Sequence, residues 1–510
     1  MKPYPPERIR NIVLVGNKGV GKTSLGDALC FVAGLNNRRG RVEDGTSLLD
    51  ADPQELRRKQ TILAKVVPIE WRDHKINLID TPGFADFWGE TVGAMWIADV
   101  VVIVVDASVG VPVATKRLYK MAREFGKPVA FFVTRLDQPD ADSDVVAAAI
   151  REQLGARAAI LAMPLGSGPE FRGVVDLLEC KTFVTAQEKT TVGDVDEGLR
   201  AKVEAARTEI MDDVAETEPE LMEKYLGGTV LSHEELHHGL AKGIEEGTIA
   251  PICCGSALTL GGVEAFAQMV VDWFPAPTEA PAVEISLEQG EKETRRPDLA
   301  APFTAQVFKS TSDPGIGDIA FFRVFAGQVS HGEDVYNASR RTAERMGHIF
   351  VMRGRERMEV EKVCSGDIAA VAKLKGTGIG DTLCAKARAG TCAAIPFPQP
   401  MISLAVKPKT KADQDKLGVG LQKLMAIDPT FRMHIDAEFN ETVVEGLGEI
   451  HLETTLERLR ERFGIDIEIG KPRVAYRERL LRSVKVQGKY KKQSGGRGQY
   501  GDCWIEVQPL

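Results

Sequence analysis

Gly16-Asn17-Lys18-Gly19-Val20-Gly21-Lys22-Thr23 is the stretch that decides the fold. An apolar run, Ile12-Val13-Leu14-Val15, precedes it, and Ser24-Leu25-Gly26-Asp27-Ala28-Leu29 after it reads as a helix start. Strand, glycine-rich turn and helix in that order give G-x-x-x-x-G-K-T the context it requires. The glycines let the backbone bend so that successive N–H groups face a phosphate chain. The helix N-terminus adds its partial positive charge. Lys22 is expected to reach the β- and γ-phosphates, and the Thr23 hydroxyl to ligate a magnesium ion. A glycine-rich turn that binds nothing is the alternative. Lys-Thr at this spacing behind a buried strand argues against it.

Outward from the loop, residues 8–278 alternate strand and helix patterns, an α/β domain with a mostly parallel sheet. The expected strands are Ile12–Val15, Lys75–Ile79, Val100–Val105, Val129–Val133 and Ile249–Cys253. Near-continuous apolar runs such as Val100–Val105 suit strands covered on both faces. Leu35 to Lys59 reads as a long polar loop over a ligand. Asp80-Thr81-Pro82-Gly83 follows a strand 58 residues after Lys22, where a carboxylate can hold magnesium through water and the Gly83 N–H can sense a γ-phosphate. Thr134-Arg135-Leu136-Asp137 also follows a strand. Asp137 there would accept from guanine N1–H and N2–H₂, whereas adenine would leave the carboxylate unpaired. Gly255-Ser256-Ala257 follows the last strand and is expected to supply an N–H to guanine O6. Each motif alone is equally an ordinary strand-end loop; in this order they favour GTP and GDP over adenine nucleotides.

Composition narrows the class further. The 510 residues are 43% hydrophobic and 27% charged, as in ordinary globular proteins, and predict several domains. No apolar run exceeds six residues, so no membrane partner is expected. The eight cysteines show no C-x-x-C spacing, which argues for a reducing compartment, the cytoplasm. Net charge is −8, yet Lys471 to Tyr500 carries ten Lys/Arg against Glu478 alone. That block reads as a polyanion contact or as a solvated basic face.

The phosphate loop, D-x-P-G, a degenerate N-K-x-D and the Ser256-Ala257 pair together resemble a translational GTPase, and elongation factor G above all. The resemblance runs from residue 10 onward. Phe171 to Leu177 resembles the start of that family's insertion in its GTPase domain, expected at about 158–246, with the acidic helical stretch Asp194 to Glu246 as the rest of it or, read plainly, as an exposed amphipathic helix pair. A linker is expected at 279–300. Short alternating segments with turns at Pro314-Gly315 and Gly376–Gly380 predict a β-barrel at 301–394. Glu445 to Glu453 and Gly470 to Glu478 resemble the family's third domain, a small α+β (ferredoxin-like) fold at 398–478. Lys489 to Gly501 resembles the opening of a fourth α+β domain, 480–510. Trp504-Ile505-Glu506-Val507 reads as a strand without a partner, so the sequence is expected to be C-terminally incomplete at Leu510. The resemblance implies GTP hydrolysis, a ribosome as partner (ribosomal RNA and stalk proteins), no DNA and a monomer. The arginine-rich run 340–357 reads equally as an RNA contact or a solvated edge, and His451 as packed or capped rather than catalytic.

Departures from the family fall on the mechanism. Phe84 stands where the histidine after D-x-P-G orients the attacking water, and a phenyl ring can neither donate to nor accept from water. Asn17 and Gly19 replace a histidine and an acid, and Thr134-Arg135 replaces Asn-Lys. These features resemble a divergent subgroup with an aromatic residue after the motif. Thr61 matches the family's magnesium-binding threonine, though it reads equally as a strand residue. Arg57 and Arg58 are either solvated or placed to offset transition-state charge. The expected catalytic set is thus Lys22, Thr61 and Gly83; the expected metal set is Thr23, Thr61 and Asp80.

Overall fold

β1 (Ile9–Val15), β2 (Lys65–Trp71), β3 (His74–Asp80), β4 (Val100–Asp106), β5 (Val129–Thr134), β6 (Ala158–Ile160) and the strand Ala250–Cys254 form one seven-stranded sheet in a computed structural model of the chain. The order is β2-β3-β1-β4-β5, then Ala250–Cys254, then β6. β2 runs antiparallel to β3 and every other pairing is parallel. β1, β4 and β5 are buried along their whole length, as helix-covered strands must be. Helices α1 (Lys22–Val32) and α3 (Trp88–Ile97) pack beside them, while α2 (Pro53–Arg58) lies in the segment expected to be loop. Its cause is local: Asp52 and Glu55 form a reciprocal capping box and Pro53 opens the helix. The structure describes residues 2–509 except Ala51, Gln289, Pro314 and Arg355. Pro314 of the expected turn, Arg355 of the arginine run and the expected terminus at Leu510 lie outside the described residues.

The insertion differs from expectation in two ways. Its first residues, β6, complete the central sheet by pairing with Ala250–Cys254. Four antiparallel strands (Ala162–Leu165, Gly173–Asp176, Lys181–Ala186, Lys189–Asp194) then precede three helices rather than two: Glu197–Ala215, Pro219–Leu226 and His233–Glu245. Pro219 starts a new helix where a single longer one would otherwise continue.

The expected linker is also structured. Val283–Leu287 pairs with Lys292–Arg295 and with Gly390–Cys392 in a three-stranded sheet. Alternation about the fully buried Ile285 drives it, a signal masked by the surrounding charge. The β domain that follows is an eight-stranded antiparallel sheet over its own apolar core, with Phe322, Val324 and Leu383 fully buried. It is fastened to the first domain by two buried ion pairs, Arg323–Asp99 and Lys75–Asp367, each at 2.6 Å. Deleting one partner would strand a buried charge at a cost of about 3–5 kcal/mol.

Residues 402–470 run strand, helix, strand, strand, helix, strand, giving a four-stranded antiparallel sheet with helices Lys411–Ile427 and Glu449–Phe463. This is the ferredoxin-like arrangement. The basic block forms a hairpin, Val484–Lys492 with Gln499–Val507. The strand at Trp504 therefore has a partner, Gln487 standing opposite Trp504; the glycine-rich turn between them hid that pairing. Among the described residues no helix is long and apolar enough to cross a membrane.

Candidate functional site

Four strand ends of the central sheet open on the same side, which is where an α/β sheet collects ligand groups. β1 leads into the loop Gly16–Thr23, and Gly21 takes φ 94°, a left-handed turn that lets α1 begin at Lys22. Lys22 is buried, and its ammonium donates to the Gly16 and Asn17 carbonyls at 3.0 Å each. Burial pushes its pKa down, opposed by the Asp80 charge. Val20 is buried, and the Asn17 side chain accepts from the Lys18 N–H at 2.9 Å.

β3 delivers Asp80 to the base of that loop. Thr23 donates its hydroxyl to Asp80 Oδ2 at 2.7 Å, and Thr61 donates to Asp50 Oδ1 at 2.9 Å. The two hydroxyl oxygens stand 2.9 Å apart. Two hydroxyl protons thus serve three contacts, so at most two of them can be hydrogen bonds donated by these threonines. Asp80 Oδ1 and Asp50 Oδ2 are buried without a hydrogen-bond partner. Such a set of hard oxygens, only partly offset by the Lys22 and Lys65 charges, suits a small divalent cation. Burial pushes the Asp80 carboxyl up, reinforced by repulsion from Asp50. Asp50 is pushed to about 6 by burial and by Glu55, and Asp27 to about 6 by burial.

Asp27 and Asp50 were not foreseen. Asp27 lies one helical turn after Thr23, on the same face of α1, and that i, i+4 spacing was the available signal. Asp27 accepts from the Leu48 N–H at 2.9 Å and so ties the 47–50 segment to α1. Asp50, in an irregular polar segment, carried no local signal.

The residues after Asp80 close over the loop. Thr81 donates to the Leu14 carbonyl at 2.7 Å, and the Pro82 carbonyl accepts from Thr91. A Cβ on Gly83 would stand 2.7 Å from Lys22 Nζ and 2.8 Å from Lys18 Cα and N, so only glycine fits. Phe84 faces Lys18, whose Nζ sits 4.3 Å from the ring centroid. His74 is at the opposite end of β3, roughly 20 Å away at strand rise. Its Nδ1–H donates to the Arg72 carbonyl at 3.0 Å, and it has no part in this site.

At the other end, Thr134 is buried beside Gly21 and Leu136 is buried behind it. Arg135 takes φ 65° and pairs with Asp106 at 2.7 Å while also donating to the Gly19 carbonyl. Asp137 accepts from Gln138 and borders a cavity of about 220 Å³ shared with Ser24, Ser256 and Ala257. Ser256 is buried and its hydroxyl accepts the Leu258 and Thr259 N–H groups, which shapes the turn. Arg39, also unforeseen, donates to the Leu258 carbonyl across the mouth of this cavity.

Arg57 and Arg58 are both engaged in ion pairs. Arg57 pairs with Glu461 at 2.6 Å, and Arg58 with Glu453 and Glu457 at 3.1 and 3.0 Å, all on helix Glu449–Phe463. The Gln54 amide joins them on the Thr454 carbonyl, and Asp86 accepts the Ile450 N–H at 3.1 Å. His451 is buried, accepting from the Leu447 N–H and bonded to Asp428. In the arginine run, Arg340 pairs with Asp381 and Arg357 with Asp313, so both are engaged internally.

Sequence comparison agrees with this geometry. Residues 7–276 match the family model described as elongation factor Tu GTP binding domain. Residues 302–386, 397–471 and 472–510 match those for elongation factor G domain 2, domain III and domain IV. Among solved structures the chain is similar to the crystal structure of ttk003000868 from Thermus thermophilus. The identity is 32% and the TM-score 0.84, over 99% of this chain and 73% of that one. A glycine-rich phosphate loop, a D-x-P-G turn closed over its lysine and these consecutive domain matches have one common reading: the chain belongs to the elongation factor G-like translational GTPases.

Proposed function

We propose that the chain binds GTP with magnesium and hydrolyses it to GDP and phosphate while engaged with a ribosome, and that its unstimulated hydrolysis is slow. The observation that supports this best is the meeting of Thr23, Thr61 and Asp80 beneath Lys22, with unpartnered carboxylate oxygens around it. The Thr23 and Thr61 hydroxyls and the Asp80 carboxylate would hold the metal. When bound, magnesium supplies charge neutralisation at the β- and γ-phosphate oxygens. Lys22 exchanges its two carbonyl partners for phosphate oxygens, and the N–H groups of residues 17–23 line the phosphate chain. The Gly83 N–H reads the γ-phosphate. Asp137 accepts from guanine N1–H and N2–H₂, the Ala257 N–H donates to O6, and the stem of Arg135 covers the ring.

The insertion is the proposed contact for ribosomal stalk proteins, and the basic hairpin the proposed contact for ribosomal RNA. The protein acts as a cytoplasmic monomer, and translocation-type activity rests on family membership alone. A second reading is favoured by Phe84 and Gly19: a GTP-dependent ribosome-binding regulator with little or no hydrolysis. Single-turnover GTP hydrolysis with and without ribosomes separates the two. Strong stimulation is expected and would sink the regulator; none would sink the hydrolase. If Phe84→His leaves stimulated turnover unchanged, residue 84 does not limit the rate.

A further inference from the structure

Gly83, Lys22 and Lys18 converge on one spot, since a methyl group on Gly83 would press on Lys22 Nζ and on the Lys18 backbone. That spot is the terminal end of the phosphate chain in the reading above, on which this inference rests. The very next side chain, Phe84, turns its face to the Lys18 ammonium at 4.3 Å. Among the described residues no carboxylate pairs with Lys18, and its side chain is exposed. Its charge is therefore not spent on an ion pair. A ring face holds an ammonium weakly, by about 0.5–1 kcal/mol at an exposed site. The cation is thereby kept in place while its N–H donors stay available to an oxygen anion.

We propose that Lys18 is a catalytic residue of the hydrolysis step, and that Phe84 is its positioning residue. In that step the water oxygen bonds to the γ-phosphorus and the bridging P–O bond breaks. The bond's electron pair goes to the β-phosphate oxygen, and the water's proton leaves on the inorganic phosphate. Lys18 transfers no proton. It donates hydrogen bonds to oxygens whose negative charge is redistributed in the transition state, which is where a fixed cation accelerates phosphoryl transfer. Position 84 thus contributes by aiming a charge instead of orienting water. Lys22 differs: it lies behind the loop, held by two carbonyls, and serves binding as much as reaction.

The test is single-turnover GTP hydrolysis by the full chain with ribosomes, alongside fluorescent GDP binding. Lys18→Met, isosteric but neutral, is expected to lower the rate roughly 10- to 100-fold with GDP affinity changed less than about twofold, and Lys18→Arg to restore most of it. Phe84→Leu should lower the rate in the parent but add nothing to Lys18→Met, whereas Phe84→Tyr should retain activity. An unchanged or faster Lys18→Met overturns the proposal, as does additivity of the two losses. A parent that binds GTP but hydrolyses none with ribosomes overturns both this inference and the hydrolase reading; an active parent with an indifferent Lys18 overturns this one alone.

Discussion

The two ends of the nucleotide site are built differently. At the phosphate end Lys22, Thr23, Thr61 and Asp80 are all less than a tenth exposed, and three carboxyls are held above their usual range by burial. At the base end Arg135 is nearly half exposed and already paired with Asp106, and Asp137 borders an open cavity. One end is dry and short of counter-charge, the other wet and internally satisfied. Electrostatic interactions are worth most where water is excluded, so under the proposed function nucleotide affinity and metal dependence would belong to the first end and base selection to the second.

The largest expected effect tests the dry end. Lys22→Met removes a buried ammonium whose charge-assisted hydrogen bonds are worth about 1.5–3 kcal/mol each, so GTP and GDP should weaken by roughly 100-fold or more in equilibrium titration. A loss below about tenfold would erase the contrast. Next is the base: Asp137→Asn should cost GTP about 2–3 kcal/mol and narrow its advantage over ATP in competition binding. An effect as large as that of Lys22→Met would mean the base end is not the lighter one.

A smaller effect lies in pH. Asp80, Asp50 and Asp27 have folded pKa values above their unfolded ones, so between the ordinary carboxylate range and neutrality the empty folded chain holds protons that the unfolded chain has lost. Their contribution to stability is full at the acid side of that window and is lost as pH rises through it. Lys22, lowered to about 8 by burial, begins to titrate only at the upper edge of this window. The thermal stabilisation produced by magnesium and GDP should therefore grow from pH 5.5 to 7.5. Asp50→Asn should flatten that growth and raise the Tm of the empty chain at pH 7.5 by about 2 °C. A slope unchanged in Asp50→Asn would show that the carboxyl cluster is not its source. Smallest of all, Arg135→Ala should change GTP affinity by about 0.5 kcal/mol, as half-exposed ion pairs do; a tenfold loss would make Arg135 part of a tightly bound base clamp.

Motifs that act through local backbone geometry were legible. Gly16–Thr23, Asp80–Gly83 and Thr134–Asp137 sit at strand ends because apolar runs of the right length precede them, and the parallel sheet brings those ends together. Helix α2 was legible in principle, since Asp52-Pro53 followed by Glu55 is a capping signal inside a segment whose polarity suggested loop. The strands at 283–295 were concealed because prolines and charges surround the one buried position that drives them, Ile285.

The sequence pointed to a phosphate loop with an expected magnesium threonine, an expected guanine-type carboxylate, a phenylalanine at the expected water-orienting position, and a train of domains. The first two follow from side-chain chemistry and short-range spacing; the last two follow from the resemblance to a family. Only the tertiary structure decided the rest. It set Asp50 against Thr61 and Asp27 against the Leu48 N–H, turned Arg57 and Arg58 onto a helix about 400 residues away in sequence, and set Lys18 on the ring of Phe84. Burial and charge pairing depend on which distant surfaces meet. No local pattern in the chain encodes that meeting.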